Sequence, residues 1–341
     1  MDQYIHQEKI SASTTKWKLL LKSRWKGLLQ ITVGVGALIL VLRKTDIAHA
    51  WEILCQVDPK LLLLALLLNL LMTWVMALRW KWLLAVKYPK FSDFELFKHY
   101  LVALFFNLFT PGAVGGDLSR LVSIGAVTKD RNFVLATLVM ERLTGLCGLL
   151  LAGLSGVWFG RHYLTNTGTY YLVALMMMVG LLLSTIIFNQ RIMKFVITQL
   201  YKIEVMLGKK VFAEAISRLI EHLQLFRTEQ KLILVAIIST VAIRVIWVLS
   251  CWTVAYALDL TIPFSLLMAF ISIVDIARMV PVSLPNGLGV REYLLALLLK
   301  QIGVVETRAV LFSFIAYTLL MVNGLWGGII YTAQGVVRKK E

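Results

Sequence analysis

Nine ionisable side chains fall inside segments otherwise apolar enough to enter a bilayer: the carboxylates Asp117, Glu141, Asp275 and Glu292, and the guanidinium groups Arg120, Arg142, Arg244, Arg278 and Arg291. A charge at the centre of a bilayer costs roughly 2.5 to 3.5 kcal/mol on insertion scales, so such positions mark ion pairs or a ligand site. Asn107 and Asn286 flank the same region, and Asn323 lies in the last apolar run. A guanidinium fork can hold a phosphate bidentately, and a carboxylate can hold an ammonium or a coupling proton. The set is nearly neutral yet strongly polar, which suits a phospholipid head group, with or without an amine. Asp117 with Arg120, and Asp275 with Arg278, stand three residues apart. That is also the spacing of helix-surface ion pairs, so any one pair serves equally well as a structural contact.

The charges gather around two interruptions. Pro111, Gly112, Gly115 and Gly116 break the apolar stretch 97–127, and Pro285, Gly287 and Gly289 break 264–302. Each arm holds about 14 to 17 residues and reaches roughly 21 to 25 Å, short of a hydrocarbon core about 30 Å thick. The spacing therefore predicts two re-entrant helical hairpins. Each turn starts a helix inside the membrane, near Ala113 and Leu288, and the free N–H groups there favour an anion. Gly115, Gly116, Gly287 and Gly289 would also permit close helix packing.

The rest of the chain supplies the elements that must position these groups. Of 341 residues, 59% are hydrophobic and 16% charged, with a mean hydropathy of +0.78, which excludes an ordinary water-soluble domain. Long apolar runs, rather than short alternating segments, exclude an outer-membrane barrel. The expected fold is an all-α polytopic membrane protein. About six transmembrane helices are expected, at 27–42, 61–84, 132–159, 170–188, 232–258 and 308–334, together with the two hairpins. Residues 1–26 form a basic N-terminus, 43–60 an external segment, 191–231 a cytoplasmic amphipathic segment, and 335–341 a basic tail. Ala48-His49-Ala50 resembles a signal cleavage site but lies too far past the first apolar run, so that span is read as retained.

The net charge of +16 comes from Lys and Arg between apolar segments, where membrane orientation explains them better than nucleic-acid binding. With both hairpins re-entrant, the basic termini, Arg79-Trp80-Lys81 and the segment 191–231 all fall on the cytoplasmic side of a bacterial-type inner membrane. The tryptophans, among them Trp80, Trp82, Trp158 and Trp252, are expected to anchor span ends at the interface. Residues 61–160 repeat in organisation over 232–334, at a spacing of about 172 to 177. An odd number of crossings separates the copies, which predicts an inverted repeat of the kind transporters use.

None of His6, His49, His99, His162 and His222 has a second metal ligand at binding spacing, and Cys55, Cys147 and Cys251 are scattered. Neither a G-x-S-x-G elbow nor an ATP-binding P-loop is present. The expectation is a non-enzyme without metal or cofactor, moving its substrate downhill or with an ion. A lipid-modifying enzyme using the carboxylates as acid and base, and a scaffold binding anionic lipid, are the alternatives. Self-association is left open.

Three motifs carry a family resemblance. Asn107-x-x-x-Pro111-Gly112-x-x-Gly115-Gly116-Asp117-x-x-Arg120 is followed by Glu141-Arg142-Leu143-x-Gly145-Leu146, and then by Pro281-x-Ser283-x-x-x-Gly287-x-Gly289-x-Arg291-Glu292. From about Leu28 to Gln334 the sequence resembles the integral-membrane domain of lysylphosphatidylglycerol synthases, which also occurs alone. The resemblance implies a flippase that moves a lipid between leaflets. The synthases carry a cytoplasmic aminoacyl-transferase domain after this part, whereas this sequence ends at Glu341. The aminoacylated lipid is therefore not carried over, and other phospholipids or polyprenyl-phosphate-linked sugars stay open as substrates.

Overall fold

Leucine-rich runs free of turn residues become long helices, and the polar or Pro/Gly clusters between them become the ends. The computed structural model describes residues 47–110, 114–163, 175, 178, 219, 221–226, 229–279 and 288–338. Among these, nine α-helices are continuous: α1 (Ile47–Gln56), α2 (Pro59–Ala85), α3 (Asp93–Asn107), α4 (Val114–Thr128), α5 (Arg131–Gly160), α6 (Gln230–Ala257), α7 (Phe264–Met279), α8 (Val290–Lys300) and α9 (Glu306–Arg338). Four are long and apolar enough to cross a bilayer, namely α2, α5, α6 and α9. They match four of the six expected spans; that at 27–42 lies outside the described residues, as do all of 170–188 but Leu175 and Met178 and most of 191–231.

Helix starts follow local chemistry. Asp58 caps α2 by accepting from the Lys60 amide at 2.8 Å, with Pro59 in the first helical position. Asp130 caps α5 by accepting from the Phe133 amide at 3.0 Å. Lys129, at φ 55°, makes the tight turn between α4 and α5.

The two expected hairpins are two pairs of short helices, α3 with α4 and α7 with α8, each pair in contact. The packing then crosses between halves. α2 lies along α6, α5 packs on α7, and α9 packs on α3. The Ser250 hydroxyl donates to the Ala65 carbonyl at 2.9 Å and Arg79 donates to Thr240 at 2.6 Å, so α2 and α6 run antiparallel. The cross-half contacts are glycine-dependent. A Cβ on Gly327 of α9 would sit 1.9 Å from the Leu101 carbonyl oxygen of α3, and one on Gly156 of α5 would sit 2.6 Å from the Ala269 amide of α7. Leu63, Leu67 and Leu71 of α2, and Leu325 and Ile329 of α9, are left exposed, the apolar coat a helix in lipid needs.

At one end of the bundle Asp130 joins three segments. It accepts from Lys87 at 2.5 Å and from the Tyr88 hydroxyl at 3.2 Å, and His222 Nε2 lies 3.5 Å from it. Phe226 stacks on Phe133 beside it. Burial works to raise the Asp130 pKa, but the bonds from Lys87 and the Phe133 amide outweigh it and hold the carboxyl below its usual range. The bond to Asp130 raises Lys87 in turn. A depressed carboxyl stabilises above its ordinary pKa and is lost as pH falls through the folded value. A raised lysine stabilises below its ordinary pKa and is lost as pH rises through its folded value. The tie from Lys87, just past the end of α2, to the cap of α5 is therefore expected to hold through the neutral range and to loosen only in strong acid or strong base. Hydrogen exchange of residues 86–91 against pH checks this; loosening between pH 6 and 8 would contradict it.

Candidate functional site

In the first half, one hydrogen-bonded network ties together α2, α3, α4 and α5. Glu141 of α5 is its centre and is buried. Its Oε1 accepts from Arg79 Nη2 of α2 at 2.8 Å and from the Tyr100 hydroxyl of α3 at 2.7 Å, while Oε2 accepts from Arg120 Nη1 of α4 at 2.6 Å. Arg120 Nη2 also donates to Asp117 Oδ1 at 2.6 Å. The Arg120 guanidinium lies 4.8 Å from the Trp80 ring and 4.5 Å from the Tyr100 ring, a cation placed on two aromatic faces.

Away from this buried centre the network reaches the surface. Asp117 Oδ2 accepts from Arg142 Nη2 at 2.6 Å and from Nε at 3.0 Å. The Arg142 side chain is 49% exposed and that of Asp117 26%, against 6% for Arg120. Exposure thus falls along the network from half-exposed Arg142 to buried Arg120. Among the described residues, three guanidinium groups meet two carboxylates here. Buried charges are tolerated only when paired and hydrogen-bonded, and here the pairing is nearly complete, yet the Nε atoms of Arg79 and Arg120 are buried without a partner.

The second half holds its own group. Arg244 Nη1 of α6 donates to Asp275 Oδ2 of α7 at 2.5 Å, and the Tyr317 hydroxyl of α9 is 3.5 Å from Asp275 Oδ1. The Arg291 guanidinium of α8 lies 4.2 Å from the Tyr317 ring, and its Nε donates to Glu292. Glu292 Oε2 accepts from the Gly289 amide at 2.7 Å, so this carboxylate caps α8 as well as pairing with arginine. Gly289 has φ +88°, a conformation that favours glycine.

The expected site residues thus separate into three sets. Asp117, Arg120, Glu141 and Arg142 come together in the first half, and Arg244, Asp275, Arg291 and Glu292 in the second. Asn107 braces the first pair of short helices: its Oδ1 accepts from the Gly116 amide at 2.7 Å and so pins α4 to α3. Gly115 and Gly116 are needed there for space, since an added Cβ would fall 2.5 Å from Thr110 Oγ1 and 2.6 Å from Asn107 Oδ1. Arg278 is helical but its side chain lies outside the described residues, as do Pro111, Gly112, Pro285, Asn286 and Gly287. Asn323 is buried and donates to Thr73 Oγ1 at 3.4 Å.

The reading of Arg79 and Trp80 as members of a cytoplasmic basic cluster and an interfacial anchor is corrected. Arg79 is 4% exposed and Trp80 fully buried, the latter donating to Thr137 at 3.1 Å. Trp158 and Trp252 do lie at the exposed periphery. Sequence reasoning also missed Tyr100 and Tyr317. The one available signal was arithmetic: Glu141 buried among apolar residues needed more cations than its neighbour Arg142.

The chain matches no curated protein and no solved structure. Its residues 27–324 match the family described as the lysylphosphatidylglycerol synthase TM region. That match takes in every helix from α1 to α8, most of α9 and all the charged residues of both groups, so the chain belongs to the lysylphosphatidylglycerol synthase transmembrane-region family, whose setting is the membrane and its lipids.

Proposed function

We propose that the protein is a flippase that moves a phosphate-bearing lipid between leaflets of a bacterial-type inner membrane, as a transporter rather than an enzyme. The observation that carries this reading is the chain of bonds from half-exposed Arg142 through Asp117 to buried Arg120, which sets guanidinium forks at graded depths. A lipid phosphodiester carries one negative charge and presents oxygens that match a guanidinium fork. It would displace Asp117 from Arg142 at the mouth, while its acyl chains stay in the lipid beside α4. An amine on the head group would find Asp117.

The two halves are an inverted repeat in this reading, with α3–α4 and α7–α8 as re-entrant hairpins. The support is the correspondence of contacts. Taking α2, α3, α4 and α5 as counterparts of α6, α7, α8 and α9, the packing of α5 on α7 corresponds to that of α9 on α3, and α2 against α6 maps onto itself. Both termini would then face the cytoplasm.

Reconstitution into vesicles with fluorescent phosphatidylglycerol tests the function. Arg142→Gln is expected to slow lipid movement by about tenfold or more, the worth of a charge-assisted bond, with the folded protein retained because the side chain is at the surface. No movement by the wild-type protein, or an undiminished rate in the variant, would overturn the reading. Extracts showing a chemically altered lipid would favour an enzyme instead.

A further inference from the structure

The two guanidinium groups on Glu141 are held differently. Arg79 is fixed through both arms of its fork: Nη2 donates to Glu141 Oε1 at 2.8 Å and Nη1 to Thr240 Oγ1 at 2.6 Å. All three residues are buried. Thr240 belongs to α6, in the other half of the chain, and its own hydroxyl proton goes to the Ala236 carbonyl at 2.8 Å. Its oxygen therefore meets Arg79 as an acceptor.

Glycine on α5 makes room for this contact. A Cβ on Gly148, about two turns past Glu141, would stand 2.4 Å from Thr240 Cβ and 2.5 Å from Cγ2, so the threonine lies directly against the α5 main chain. A Cβ on Gly145 would lie 3.9 Å from Arg79 Nη1. The arginine thus passes α5 beside one glycine and ends on a threonine seated over the next.

Arg120 has a different set of holds. Its fork is divided between Glu141 Oε2 and Asp117 Oδ1, each at 2.6 Å, and Asp117 is shared in turn with half-exposed Arg142. Its guanidinium also rests on the rings of Trp80 and Tyr100, which go on holding a cation when a carboxylate leaves. Beyond Glu141, then, Arg79 leads to a buried hydroxyl and Arg120 leads to the surface.

We infer that Arg79 is the permanent counter-ion of Glu141 and Arg120 the exchangeable one, with Thr240 as the residue that positions Arg79. This rests on the transporter reading above. When a lipid phosphate takes the place of Asp117 on Arg120, Glu141 stays paired because Arg79 is tied in place beside it. Without the threonine bond the Arg79 fork is free to turn, Glu141 competes harder for Arg120, and the phosphate meets a cation already engaged.

The test separates the oxygen of Thr240 from its shape. Thr240→Ser keeps the acceptor and loses a methyl, whereas Thr240→Val keeps the volume and loses the acceptor. In vesicles with fluorescent phosphatidylglycerol, Val is expected to raise the half-saturating lipid concentration by about two- to tenfold, the worth of one hydrogen bond, with the maximal rate nearly kept. Ser should stay near wild type. A Ser variant as impaired as Val, or an effect on maximal rate alone, would mean a packing role and overturn the inference. If Val does not fold, Thr240→Ala against Ser makes the same comparison, since those two differ by the oxygen alone. Titration of short-chain dihexanoylphosphatidylglycerol in detergent reads the same affinities without movement. Binding weakened by Val but spared by Ser, in a protein that moves no lipid, would defeat the transporter reading alone. Movement with unaltered half-saturation in Val and Ala would defeat this inference alone, and a wild type that neither binds nor moves the lipid overturns both.

Discussion

Glu141→Ala is expected to destabilise the protein by about 3 to 5 kcal/mol, the range found when one partner of a buried ion pair is removed. Three donors converge on this carboxylate, Arg79 and Arg120 as cations and Tyr100 as a hydroxyl, and all three are buried. Removing the acceptor leaves two guanidinium groups with a single carboxylate, Asp117, which reaches only one of them. Glu141→Gln keeps an oxygen acceptor and the shape but loses the charge, so it should fall between wild type and Ala. Thermal unfolding in detergent would show the order wild type, Gln, Ala. An Ala variant that melts with the wild type would mean that the network contributes nothing to holding α2, α4 and α5 together.

Gly327→Val should rival that effect for a different reason. Even the first carbon of a side chain would stand 1.9 Å from the Leu101 carbonyl oxygen, and a backbone oxygen cannot rotate out of the way. α9 must leave α3, opening the contact along Gly324 and Gly328 as well. Overpacking a tight site costs about 1 to 3 kcal/mol when neighbours can shift, and here the neighbour is main chain, so the upper end or beyond is expected. Gly156→Ala, meeting the Ala269 amide at 2.6 Å and the Ser265 carbonyl at 2.8 Å, should behave alike on the α5–α7 side. Gly145→Ala is the control: its nearest neighbour would be Arg79 Nη1 at 3.9 Å. If all three variants retained the wild-type melting temperature, the close approach would have no energetic content.

Much of the architecture was legible because the bilayer imposes simple rules. Apolar runs bounded by charges gave α2, α5, α6 and α9 within two residues at their starts, since a helix long enough to span hydrocarbon leaves few other readings. The short helices flanking Pro111 and Pro285 were legible from the same arithmetic, read as a deficit of length. The charged residues announced themselves by cost.

What the sequence could not give was which charge meets which. Asp117 and Arg120 do pair at three-residue spacing, while Asp275 pairs with Arg244, thirty-one residues away and on another helix, a partner that spacing along one helix does not reveal. Arg79 looked like one more lysine-rich loop residue beside Trp80 and Lys81. Yet Lys81 turns outward to Asp93 while Arg79 turns inward to Glu141, a difference set by helix rotation and not by residue type. Tyr100 and Tyr317 were invisible for the same reason: an aromatic residue on an apolar helix becomes a polar link only when a carboxylate from elsewhere arrives beneath its hydroxyl. The described bonds gather the charges into one group per half.

The glycine contacts bind the two halves of the bundle to each other rather than leaving each closed on itself. α9 is clasped by α3 and α5 by α7, so each short helix pair is mechanically geared to the last span of the opposite half. A change in the tilt of either last span would therefore have to be accommodated by the short helices of the other half.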